Sequence, residues 1–112
     1  MIGISTHVLD TAKGRPAPGV RVMLEHLVDD GNWIAVGEGL TDDSGRVAQL
    51  LGSRNVLNGG FYRLIFFVAE YFKDQDYFYP QVAVDFLVRD PSTHYHVPLL
   101  LSPYGYTTYR GS

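Results

Sequence analysis

Clusters of turn-forming residues cut the chain into short segments, and many of those segments alternate apolar and polar side chains. A period of two places alternate residues on opposite faces of a strand, so this pattern demands sheets with one buried side. In Val20-Arg21-Val22-Met23-Leu24-Glu25-His26, Val20, Val22 and Leu24 share one face, while Arg21, Met23 and Glu25 share the other. Ile2 to Leu9, Trp33 to Thr41, Arg46 to Leu51, Gln81 to Val88 and His94 to Leu101 read as further strands. Breaks fall at Gly14 to Gly19, Asp29 to Asn32, Asp42 to Gly45, Asn58 to Gly60, Asp90 to Ser92 and Ser102 to Gly105, all rich in turn formers. The most apolar run, Phe61 to Ala69, reads as a strand covered on both faces. Alternation is lost from Glu70 to Tyr77, where one short helix is expected. An all-β sandwich or barrel of seven or eight short strands follows.

Composition narrows the classes further. A chain of 112 residues fits one domain spanning 1–112, and at this size roughly 65% of the unfolded surface is buried on folding. The absence of cysteine removes disulfides, thiolate nucleophiles and thiolate metal sites, and suits a reducing compartment. With a net charge of −3 and no basic run, a nucleic-acid partner is disfavoured. No stretch approaches the roughly 18 apolar residues of a membrane-spanning helix. Met1-Ile2-Gly3-Ile4 enters patterned sequence without a basic and apolar leader, so a cytoplasmic location is expected, or a periplasmic one if an export signal has been removed.

The histidines are the first candidates for chemistry. His94 and His96 lie two apart on an expected strand and leave the same face, and His7 occupies a strand position that Val or Ile would fill more naturally. An imidazole titrates near neutrality and can activate water, yet each ring, taken alone, is equally a hydrogen-bonded structural group. His7, His94 and His96 also offer a zinc reading, with no carboxylate at a supporting spacing. Arg46 follows Asp42-Asp43-Ser44-Gly45, where a salt bridge to an aspartate is the plain alternative to substrate contact. Arg110 lies close to the last residue, flanked by Tyr109 and Gly111; chain ends usually fray, so either a loose tail or a segment tied down for a purpose fits.

Taken together, the blocks Ser5-Thr6-His7-Val8-Leu9-Asp10, Gly14-Arg15-Pro16-Ala17, Thr41 to Arg46, and His94-Tyr95-His96-Val97-Pro98-Leu99 through Tyr109-Arg110-Gly111-Ser112 resemble the 5-hydroxyisourate hydrolases of the transthyretin-like family. The resemblance covers nearly the whole chain, and the terminal Tyr-Arg-Gly-Ser is its most specific part. One departure is Tyr104-Gly105-Tyr106-Thr107-Thr108, where the family often has Tyr-Ser-Tyr-Ser-Thr; a serine hydroxyl at 105 or 107 therefore has no role here.

The resemblance implies a two-sheet sandwich of about eight strands with one short helix. It further implies a homotetramer, a dimer of dimers, with sites at the dimer–dimer interface. The implied reaction is hydrolysis of 5-hydroxyisourate to 2-oxo-4-hydroxy-4-carboxy-5-ureidoimidazoline, without metal or organic cofactor. Catalytic roles fall on His7, Arg46, His96 and Ser112, and substrate contacts on His7, Arg46, Tyr109 and Arg110. His96 is favoured as the base, and Arg46 suits paired oxygens because its fork is planar and permanently charged. Rival readings are a transthyretin-like carrier without catalysis, a protein-contact surface built on Tyr104, Tyr106 and Tyr109, and the zinc hydrolase.

Overall fold

The protein is described by a computed structural model over residues 2–112; Met1, where the leader reading began, lies outside the described residues. Among the described residues, nine strands form two sheets. The first sheet contains β1 (Ile4–Asp10), β2 (Arg15–Pro16), β5 (Arg46–Val47), β8 (Tyr95–Ser102) and β9 (Gly105–Thr108). Its order is β2-β1-β8-β9, with β5 also paired to β1. The second sheet contains β3 (Arg21–Leu27), β4 (Trp33–Leu40), β6 (Gly60–Phe67) and β7 (Val82–Val88), in the order β4-β3-β6-β7. All pairings are antiparallel except β1 with β8.

Alternation decides which side of each sheet is buried. Val20, Val22 and Leu24 are fully buried, as their shared parity requires, and they meet Leu64 and Phe66 of β6 in the core. From the first sheet, Ile4 and Val8 of β1 and Val97, Leu99 and Leu101 of β8 complete that core. Each such aliphatic side chain contributes about 1.5–3 kcal/mol by leaving water. The opposite parity of the first sheet, Ser5, His7, His94 and His96, faces outward.

Three expectations need correction. The run from Phe61 is not covered on both faces. Tyr62, Leu64 and Phe66 are buried, while Phe61 is 53% exposed. Guanidinium groups cover part of that outer side, with Arg63 set 4.0 Å over the Trp33 ring and Arg21 4.6 Å over Phe67. The short helix overlaps the expected Glu70 to Tyr77 only at Glu70 and Tyr71. It is one turn, α1 (Val68–Tyr71), because Val68 and Phe72, four apart, both plug into the core. Finally, the strand expected from Arg46 to Leu51 stops at Val47. Beyond it the Gln49 side chain takes over, accepting from the Ile4 N–H at 3.1 Å and donating to the Ile2 carbonyl at 3.1 Å.

Candidate active site

Pairing of β1 with two neighbours assembles the site. Parallel register sets Ser5 beside His96 and His7 beside Pro98, while antiparallel register sets His7 beside Arg46. Since the members of a lateral pair point to the same side, Ser5, His7, Arg46 and His96 emerge together on the outer face. The turn before β5 is built to deliver Arg46. Asp42 Oδ1 accepts from the backbone N–H of Ser44 at 2.9 Å and of Arg46 at 3.0 Å. Gly45 adopts φ 75°, and a Cβ there would lie 2.4 Å from the Val8 carbonyl oxygen, so glycine is required twice over. Asp42 thus holds the Arg46 backbone. The ion pairs among the described residues are Arg21 with Glu38 and Arg63 with Asp85, which leaves the Arg46 guanidinium outside any salt bridge there.

A cleft of about 380 Å³ opens over this face, lined among others by Ser5, Asp42, Arg46, His94, His96 and Ser112. His7 stands beside it, opposite Arg46. Burial is the first cause holding the His96 pKa below its ordinary 6.5, and Arg46, His7 and His94 depress it further. Neutral His96 is the form able to accept a proton.

The last residues are tied down. Extending the β8–β9 register beyond Thr108 brings Gly111 opposite His96, where its N–H donates to the His96 carbonyl at 2.8 Å. A Cβ at Gly111 would sit 2.5 Å from Cδ2 of His96 and 3.2 Å from Cγ of Pro98, so only glycine lets the segment lie against that ring. Ser112 then reaches the cleft. Arg110 packs elsewhere. Its guanidinium stacks 4.5 Å over the Tyr95 ring, and with Tyr109 it lines a second cavity of about 310 Å³ beside Val84 and Phe86, which His96 also lines. Within one chain, therefore, His96, Arg46 and Ser112 meet with His7 alongside, whereas Tyr109 and Arg110 do not enter their cleft.

Two participants went unassigned in the sequence. Ser5 Oγ lies 2.8 Å from Nε2 of His94 and 2.8 Å from Nδ1 of His96. His94 shared the face of His96 from its spacing, but served there only the zinc reading. Among the described residues no three His, Cys, Asp or Glu side chains are grouped to hold a metal ion. Ser5 shares the parity of His7 on β1, which was the available signal; its partners are 89 and 91 residues away, beyond any local pattern.

Residues 4–111 match the HIUase/Transthyretin family model. The chain belongs to that family. It is 46% identical to the 5-hydroxyisourate hydrolase of Salmonella dublin over 111 residues, covering 97% of this chain and 80% of that one. Its fold matches the Klebsiella pneumoniae 5-hydroxyisourate hydrolase with a TM-score of 0.81 and 32% identity, over 97% of this chain and 98% of that one. Sea bream transthyretin in complex with thyroxine matches as well, at a TM-score of 0.87 and 30% identity, over 96% of this chain and 93% of that one. The family fold thus accommodates both a hydrolase and a thyroxine-binding protein, and function must be argued from side chains.

Proposed function

We propose that this chain is a 5-hydroxyisourate hydrolase that opens the substrate ring to give 2-oxo-4-hydroxy-4-carboxy-5-ureidoimidazoline. The observation that carries the reading is the outer-face cluster in which a half-buried His96, kept neutral by its surroundings, lines one cleft with an Arg46 guanidinium free of ion pairing. Near-full-length similarity to proteins named for this activity supports it. His96 takes a proton from water, and the water oxygen forms a bond to the amide-type carbonyl carbon. The tetrahedral oxyanion collapses, the C–N bond breaks, and His96 returns its proton to the departing nitrogen. Arg46 holds paired substrate oxygens with its fork and stabilises the developing negative charge. His7, the cross-strand neighbour of Arg46, orients substrate or water, and the Ser112 hydroxyl steadies that water. Arg110 anchors the terminal segment through Tyr95, and with Tyr109 it is placed to contact substrate from the cavity that His96 also lines. No cofactor enters these steps.

The same reading places the protein in the cytoplasm, as the cysteine-free composition suits, and assembles it as a homotetramer with sites at the dimer–dimer interface. Exposed Tyr104, Tyr106 and Tyr109 along the β9 side support an association surface. The deciding assay generates 5-hydroxyisourate with urate oxidase and follows its disappearance. Acceleration by the protein, lost in His96→Ala, is expected. Tight binding of the intermediate without faster decay would return the chain to the carrier reading.

A further inference from the structure

Ser5 is 8% exposed, and its one hydroxyl proton faces two imidazole nitrogens at 2.8 Å each. A neutral imidazole carries its proton on one ring nitrogen and a lone pair on the other. One hydroxyl cannot donate to both rings, so at least one ring must donate to Ser5 Oγ. If Ser5 donates to Nδ1 of His96, the His96 proton is forced onto Nε2, and that nitrogen cannot take a proton from water. If Ser5 donates to Nε2 of His94 instead, His96 donates from Nδ1 and its Nε2 is bare. Nδ1 being occupied by Ser5, Nε2 is the ring nitrogen left for the cavities that His96 lines. Nδ1 of His94 is buried without a partner among the described residues under every arrangement, so its burial does not choose between them. The chemistry required of His96 does.

We propose that Ser5 and His94 are positioning residues which lock the tautomer of His96: Ser5 gives its proton to Nε2 of His94 and accepts one from Nδ1 of His96, leaving Nε2 of His96 bare toward the cleft. This rests on the reading of His96 as the base. The same two hydrogen bonds serve after proton uptake, because the imidazolium keeps its Nδ1–H directed at Ser5. Nothing needs to reorient during the step, which is how preorganised polar groups lower a barrier. Gly111 closes the arrangement from the other side of the ring, holding it against displacement.

Long-range proton–nitrogen correlation spectra of the 15N-labelled protein, with His96 neutral, read the tautomer directly. A proton on Nδ1 of His96 is expected, and one on Nε2 overturns the proposal. Ser5→Ala should lower kcat by about tenfold or more with KM little changed, and Ser5→Thr, which restores a hydroxyl, should recover most of the loss. His94→Phe keeps a ring but removes the acceptor; it should move the His96 proton to Nε2 and lower kcat likewise. Wild-type kcat and an unchanged His96 tautomer in His94→Phe would overturn the idea even if Ser5→Ala does not fold. A wild-type protein that fails to hasten loss of 5-hydroxyisourate defeats the functional reading instead, and the spectra still report the tautomer.

Discussion

Arg46 and His96 carry the sharpest tests. Lysine at 46 retains the charge but loses the planar fork, so Arg46→Lys should reduce kcat/KM more than tenfold, or more than about 1.4 kcal/mol. An unchanged value would show that a point charge suffices. For His96 the sign follows from its depressed pKa. Below its ordinary 6.5 the unfolded chain takes up a proton that the folded ring resists. The contribution to stability is therefore present above 6.5 and lost as pH falls toward the lower folded value. Activity should behave in parallel, with kcat/KM reaching half its plateau below 6.5; a midpoint at or above that pH would place the titration on another group. Gly111→Ala drives a methyl into the His96 ring. It should lower kcat while leaving the unfolding midpoint nearly unchanged, because the terminal segment lies outside the core. His7, Arg46 and His96 were legible as candidates, since each residue type sits where its strand or turn did not need it. Ser5 was not, because a small polar residue on the outer parity of a strand is ordinary.

Among the elements, the segment after β9 is the most consequential. Deleting Tyr109 to Ser112 removes the Gly111 bridge, the Arg110 stack and the Ser112 side of the cleft. Turnover should vanish while circular dichroism keeps its sheet signature; a fully active truncated protein would remove this segment from the site. Helix α1 shows a different kind of dependence. Tyr71 donates to Asp10 Oδ2 at 2.7 Å, which ties the helix to the end of β1 and, after desolvation, helps push the Tyr71 pKa up to about 12. Tyr71→Phe leaves the buried Asp10 carboxylate with the Lys13 N–H but without this partner. A loss of roughly 1–3 kcal/mol in denaturant unfolding is expected. The helix was placed too late in the chain by sequence reasoning, because alternation continues through Val68 and only packing reveals that Val68 and Phe72 are anchors.

Across the whole molecule, two sheets share one hydrophobic cluster, to which β1 and β8 of the cleft-forming strands contribute buried residues and β5 the partly buried Val47. The candidate face is thus built on strands whose other side is core. If the proposed homotetramer is correct, light scattering should give a mass four times that of the chain. A monomer retaining full activity would detach catalysis from assembly.

Local sequence determined the strands, the turns and the side of each sheet that is buried, because a period of two and the backbone demands of glycine and proline act between neighbours. It also marked the residue types suited to the chemistry. Which of them meet was decided only by tertiary pairing. The β1–β8 register joins Ser5 to a histidine 91 residues away, and beyond β9 the chain stacks Arg110 on Tyr95, bridges Gly111 to His96 and brings Ser112 to the cleft. Such choices belong to hydrogen-bond registers between distant strands, and no short stretch of sequence contains them.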